Sequence, residues 1–229
     1  MIKGIATVRK RADLNDADFH RYWRETHAPL ALRMKSLRRY VQSHRIAEPM
    51  PGFESCPYDG VAEIWFDDLD TLLNLGTDPD YVNGAQVDEP NFVDMDALDF
   101  LATREHVFID GPPLERDTPL VKAVFILKRK PGMSVADFQR YWIDVHAPQI
   151  PRDMGVMRYV QCHQAPETYG DTAPAWDGVA ELSFADYAAF EAYWTSERVQ
   201  AIFAADAPQF LDAANCTAFL AEETRVLWP

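Results

Sequence analysis

The sequence predicts an α+β protein made of two tandem ferredoxin-like repeats, each β-α-β-β-α-β, paired within one chain as a pseudo-twofold α+β barrel. Three observations predict it. The letters YWRETHAP at residues 22–29 return as YWIDVHAP at residues 141–148. Two further blocks return in the same order, RYVQSH (39–44) as RYVQCH (158–163) and DGVAEIWF (59–66) as DGVAELSF (177–184). In both halves the apolar pattern passes from strand to helix and back in one shared sequence of elements. Trp and His are rare residues, so their return at matched spacing marks an internal duplication.

The elements follow in order. An apolar strand covers about 2–9, and again 120–128. A helix starts after Asn15 and after Ser134, each a good N-cap ahead of an acidic first turn. Phe19, Trp23, Leu30 and Met34 keep a helical period on its buried side. Pro29 removes the helical bond to the carbonyl of Glu25 and clashes with it, so the helix should bend or end beside His27. Pro148 does the same beside His146. A hairpin follows, residues 37–45 with 59–66, and 156–164 with 177–184. A second helical region begins at Asp68 and at Asp186, where YAAFEAYWTSERVQAIFAA is amphipathic. A last strand lies near 98–108 and 216–227, FLATRE (100–105) answering FLAEET (219–224). Repeat 1 thus spans 1–110 and repeat 2 spans 120–229, with a Gly- and Pro-punctuated linker at 111–119. One four-stranded sheet with helices on one side leaves its other face bare, and two fused copies cover each other.

Composition narrows the function. A formal net charge of −14 over 229 residues argues against nucleic acid, which needs clustered Lys and Arg, and gives anionic ligands no long-range steering. Cys56, Cys162 and Cys216 have no metal-ligand spacing and read as reduced, buried or half-buried thiols. The start, MIKGIATVRKRAD, is charged too soon for a signal peptide, and no apolar run approaches the roughly 20 residues that cross a membrane. The expectation is a soluble, cytoplasmic protein with no membrane or nucleic-acid partner. Phosphate loops, G-x-S-x-G and H-E-x-x-H are missing, so nucleotide, serine-hydrolase and zincin chemistry have no support, and neither a metal nor a cofactor is expected. The acidic stretch DEPNFVDMDALD (88–99) reads as a solvated loop.

Candidate catalytic groups sit in the repeated blocks. His27 lies four residues after Trp23 and extends the buried stripe, as His146 does after Trp142. A titratable group beside a broken helix suits a general acid or base, although a neutral histidine pinning the kink fits the same letters. Strand alternation places Tyr40, Gln42 and His44 on one face, and Tyr159, Gln161 and His163 in the second copy. Asp59, Glu63 and Trp65 share a face, as do Asp177 and Glu181. Read together they form one buried polar set lining a cavity, with Glu63 or Asp59 orienting His44. The alternative is a hydrogen-bonded network that stitches two sheets together.

The stretches FHRYWRETHAPL (19–30) and FQRYWIDVHAPQ (138–149), the second preceded by KRKPGMSVADF (128–138), resemble the EthD family of the dimeric α+β barrel superfamily. The likeness covers nearly the whole chain as two copies. It implies that the partner subunit of such barrels is supplied in cis, with a further homodimer possible. It also maps the family's histidine onto His27 and His146, and its aromatic pair onto Tyr22–Trp23 and Tyr141–Trp142. Copy two departs at Ile143, Val145 and Gln149, where copy one has Arg24, Thr26 and Leu30. The expected function is a cofactor-independent lyase or isomerase of catabolism or secondary metabolism, moving protons by His27, His44, His146 and His163 on an aromatic or lactone-like acid. Tyr40, Gln42 and their counterparts would hold an enolate or carboxylate oxygen, and Trp23 and Trp65 would exclude water. Two alternatives are a haem-binding or oxygen-using monooxygenase-like barrel and a non-catalytic accessory module.

Overall fold

The computed structural model describes residues 1–53, 55–171 and 174–228. The chain forms two compact units. The first comprises Met1–Arg45, Pro57–Arg104 and Glu223–Pro229, and the second Ile46–Cys56 and Glu105–Glu222.

In the first unit, strand β1 (Ile2–Val8) leads to helix α1 (Asp16–Tyr22), the short α2 (Ala28–Ala31) and the hairpin β2 (Arg39–Arg45) and β3 (Gly60–Phe66). Helices α3 (Leu69–Leu73) and α4 (Gln86–Asp88) precede β4 (Phe100–Ile109). Antiparallel pairing gives the order β4-β1-β3-β2, with Ile5 opposite Glu63 and Leu101, and Gln42 opposite Ala62. The second unit repeats this with β5 (Val121–Leu127), α5 (Val135–Tyr141), β6 (Arg158–Gln164), β7 (Gly178–Phe184), α6 (Tyr187–Trp194), α7 (Glu197–Phe210) and β8 (Thr217–Leu227). Its order is β8-β5-β7-β6. The fold is α+β, and its eight strands belong to one closed barrel, as the duplicated pattern predicts.

Capping follows the letters. Asn15 and Ser134 accept the backbone N–H of Asp18 and Asp137, and Asp68 and Asp186 do the same for the later helices. The units differ most before the last strand. Copy two runs through α6 and the fourteen-residue α7, whereas copy one breaks into short turns around Gly76, Pro79 and Gly84. Glycine and proline at those positions disfavour a continuous helix.

Each helical face buries aromatics against its sheet. Phe19, Trp23 and Phe92 pack together in the first unit, and Phe138, Trp142 and Phe210 in the second. The indoles pack closely against the hairpins. A Cβ on Gly60 would lie 2.7 Å from the Trp23 ring and 2.5 Å from the Ser43 carbonyl oxygen. Gly178 faces Trp142 and Cys162 in the same way, which accounts for glycine in both DGVA blocks. Cys162 is buried and Cys56 and Cys216 are half-buried. Among the described residues no helix is long and apolar enough to cross a membrane.

Candidate functional site

Both copies of the opening motif form a π-helical turn, Trp23–His27 and Trp142–His146. The proline explains it. Instead of ending the helix, the chain widens by one residue, so the N–H of Ala28 bonds back to Trp23 O and that of Ala147 to Trp142 O. Pro29 then falls in the first turn of α2, where its missing N–H costs nothing. Such bulges recur at functional sites. Each histidine at the end of the bulge is buried, His27 7% and His146 5% exposed.

Each histidine meets a buried carboxylate. His27 Nδ1 lies 3.0 Å from Asp88 Oδ2, and His146 Nδ1 lies 2.6 Å from Asp206 Oδ2. The other oxygen of Asp88 accepts from Tyr22 OH at 2.6 Å and Asn91 Nδ2 at 3.1 Å. That of Asp206 accepts from Tyr141 OH at 2.8 Å and Gln149 Nε2 at 2.9 Å. Burial alone would push both carboxyls up, but the donors outweigh it and hold both below the usual carboxylate range. An ionised aspartate only accepts, so Nδ1 of each histidine carries the proton. In the neutral imidazole this tautomer leaves the lone pair on Nε2, the form a general base requires. Burial depresses the His27 pKa despite Asp88. Burial, aided by Asp206, raises the Tyr141 phenol to about 12.

Neither aspartate figured among the expected site residues. Asp88 is buried, so the reading of 88–99 as a solvated loop fails at its first residue. The missed signal is a further repeat, VDEPNFVD at 87–94 and ADAPQFLD at 205–212, which aligns Asp88 with Asp206 and Phe92 with Phe210. These phenylalanines lie against the histidines at 4.8 and 5.1 Å between centroids.

The hairpin residues do not form one cluster, and the structure corrects that expectation. Tyr40, Gln42 and His44 lie beneath the helix. Gln42 Nε2 donates to Trp23 O at 2.9 Å and to Tyr40 OH at 2.9 Å, while its Oε1 faces His44 Nε2 at 3.0 Å. Gln161 repeats this with Trp142 O at 2.9 Å, Tyr159 OH at 2.6 Å and His163 Nε2 at 2.8 Å. Glu63 occupies the opposite face, paired with Lys3 at 2.8 Å and accepting from Ser43 at 2.5 Å. Trp65 is there too, its ring 4.7 Å from Lys3 Nζ, and Glu181 lies 3.9 Å from Lys122. Successive side chains alternate across a strand, and residues 42 and 63 fall on opposite faces because Gln42 pairs with Ala62. Asp59 does not reach His44. It accepts the N–H of Lys10 at 2.8 Å and pairs with Arg45, and Asp177 likewise accepts the N–H of Arg129 at 3.0 Å.

His44 and His163 are therefore not placed like His27 and His146. Burial, with His20 and Arg24 nearby, drives the His44 pKa down to about 2. Burial beside His106 drives that of His163 down to about 3. His44 Nδ1 lies 2.9 Å from His20 Nδ1, and since its Nε2–H is given to Gln42, it accepts there. Both rings stay neutral at neutral pH and pack against the tryptophans, at 4.5 Å for His44 and 4.3 Å for His163.

The second unit contains a cavity of about 220 Å³. Its wall is mostly apolar, including Phe53, Phe125, Trp194 and Phe203, and His146, Tyr159 and Trp142 reach it. Among the described residues no Lys or Arg lines it. Cys216 also lines it, but burial raises its thiol to about 11 and its sulfur bonds to the backbone of Lys128 and Asp212. Among the described residues no cluster of three or more His, Cys, Asp or Glu could hold a metal ion.

The EthD domain model matches residues 11–96 and again 130–214, so that each match contains one of the two histidine–aspartate pairs, His27–Asp88 and His146–Asp206. The chain belongs to the EthD family. Solved structures similar to this EthD protein share its fold at low identity. An anthrone oxidase-like protein aligns with a TM-score of 0.69 at 7% identity, covering 98% of this chain and 93% of its own. A candidate monooxygenase from Fusobacterium nucleatum subsp. nucleatum ATCC 25586 aligns at 0.57 and 8%, covering 98% and 92%. A mutant chlorite dismutase from Candidatus Nitrospira defluvii aligns at 0.52 and 9%, also covering 98% and 92%. No curated protein matches the sequence.

Proposed function

We propose that this EthD protein is an enzyme that moves a proton on a small, largely apolar ring compound held in the second unit's cavity. One observation carries the reading: His146, its Nδ1–H committed to Asp206, stands in the wall of an apolar cavity of about 220 Å³. His146 Nε2 takes a proton from carbon, and Asp206 steadies the imidazolium that forms. Return of the proton at another carbon makes the protein an isomerase, and departure of a leaving group makes it a lyase. His163 serves as a fixed link to Gln161, and Tyr159 and Trp142 contact the ligand.

Among the described residues the wall offers no cation, so a neutral substrate suits it better than the aromatic acid expected from sequence. A carboxylate would be desolvated beside ionised Asp206 without a partner. The cavity lies below the roughly 300–1,000 Å³ of drug-sized ligand sites, which suits one or two rings and not a porphyrin. Haem therefore does not fit. Oxidation of the same carbanion by dioxygen is the second reading, favoured by the aromatic, cation-free wall and by the names of the similar folds.

Hydrogen–deuterium exchange tests the proposal. Incubated in D₂O with 1-tetralone, the protein should speed loss of the C2 protons followed by NMR, and His146→Ala should abolish the acceleration. Equal rates with and without protein would reject base catalysis and leave the accessory module. Oxygen uptake in the same assay separates the two enzymatic readings.

A further inference from the structure

Part of the cavity wall is written in the first repeat. Residues Ile46–Cys56 lie in the loop between β2 and β3, yet they belong to the second unit. Within this loop the N–H of Phe53 bonds to Met50 O at 3.0 Å, and Gly52 has a φ of +89°. Proline followed by a left-handed glycine at the inner positions is the pattern of a type II turn. The turn is anchored on both sides of that glycine. Met50 is buried among the second unit's core residues, and Pro51 O accepts from Trp194 Nε1 at 3.0 Å. Phe53 stands edge-on to Phe125 at 5.9 Å between centroids and lies 6.4 Å from Trp194. Its ring is half-buried and lines the cavity. The aromatic wall runs in series away from the base. His146 meets Phe203 at 5.7 Å, Phe203 meets Trp194 at 5.2 Å, and Trp194 meets Phe53. Phe53 thus marks the end of this row remote from His146. The corresponding loop of copy two, 165–177, also belongs to the second unit, so the first unit receives no such turn.

We infer that Phe53, presented by the Met50–Phe53 turn, is the specificity residue that sets how long a ring compound the second unit's cavity accepts. A ligand that offers a C–H to His146 directs its far end along the aromatic row toward Phe53. A rigid ring there admits two fused rings and rejects a ligand extended beyond them, because a packed wall tolerates little added volume. The turn makes that limit firm, since Met50 and the Pro51–Trp194 bond leave Phe53 little freedom to withdraw. The inference rests on the proposed function only for the orientation of the ligand, with its reacting carbon at His146. The size limit itself stands on the wall and the turn.

Two ketones that differ only at the far end test the assignment by calorimetric titration of the full-length protein: 1-tetralone and 6-phenyl-1-tetralone, whose added ring lies across the molecule from the acidic C2. The wild-type protein should bind 1-tetralone about tenfold or more tightly than the longer ketone, the scale of forcing extra atoms into a packed wall. Phe53→Ala should erase most of that ratio, chiefly by strengthening binding of the longer ketone. Gly52→Ala should narrow it too, because a Cβ there meets nothing within 4 Å and the left-handed backbone is the only thing strained. If Phe53→Ala does not fold, Phe53→Leu, which keeps an apolar side chain on the turn, should shift the ratio in the same direction. The inference is overturned if the two ketones bind the wild-type protein equally, if the ratio survives shortening of Phe53, or if neither ketone binds. Length selection without deuterium exchange would sink only the base reading, and exchange without length selection would sink only the role of Phe53.

Discussion

The two histidine–aspartate centres are built alike and furnished differently. Both hang from a π-turn, and both fasten Nδ1 to a buried aspartate that a tyrosine also holds. The third donor has moved. In the first unit it is Asn91, three residues after Asp88. In the second it is Gln149, at the position of Leu30. Gln149 is thus a relocated support for the aspartate, and its departure from the first copy's letters does not unmake the centre. The ligand side diverges further. Extending the block VDEPNFVD/ADAPQFLD backwards without a gap aligns Ala85 with Phe203 and Glu89 with Ala207. Phe203 and Ala207 line the cavity. Glu89 instead accepts from Tyr81 at 2.9 Å, and burial raises its carboxyl to about 7. The anchoring of a base and the shape of what it faces are therefore separable.

The largest expected effect separates the two histidines. His146→Ala should lower exchange on 1-tetralone by about 10²-fold or more, while His27→Ala leaves it within a few-fold. Equal losses would mean that both units carry the activity. Next, Asp206→Ala should destabilise the fold by about 3 kcal/mol in urea unfolding, because it strands the buried His146 and two half-buried donors, Tyr141 and Gln149, and Asp88→Ala should cost a similar amount. A markedly smaller loss at Asp88 would mean that the first centre is the looser one. Ala207→Glu, which installs the first unit's residue, should fill the cavity and weaken tetralone binding at least tenfold by calorimetry.

Acid stability gives a smaller, graded effect. His44 and His163 are neutral in the folded protein down to about pH 2 and 3, but protonate near 6.5 when unfolded. The unfolded chain therefore binds more protons below 6.5, and stability falls as pH falls, by about 1.4 kcal/mol per pH unit for each histidine. Urea midpoints at pH 6 and pH 4.5 measure this, and His163→Gln should flatten the slope. An unchanged slope would show that the second histidine titrates in the folded state. The smallest change is Gln149→Leu, expected to cost about 1 kcal/mol.

Much of this was legible in the letters. Strands, caps and the duplicated order follow from local periodicity and capping chemistry, which neighbouring residues settle among themselves. The inward placement of His27 and His146 follows from helical spacing, and Pro29 and Pro148 predict a disturbance without specifying that the helix widens and continues. The repeat of Asp88 and Asp206 was present too, hidden by its acidic surroundings.

Tertiary structure decided the rest. Only the hairpin register shows that Gln42 and Glu63 face opposite sides of a sheet, since adjacent strands pair residues that the sequence separates by a loop. Only packing buries His44 deeply enough to silence it while leaving His146 on a cavity wall, because desolvation depends on residues far along the chain. Sequence determined the elements and the doubling. The meeting of His146 with Asp206, sixty residues away, and the apolar space beside them came from the fold, since the donors that hold Asp206 and the rings that surround it converge only once the chain has closed.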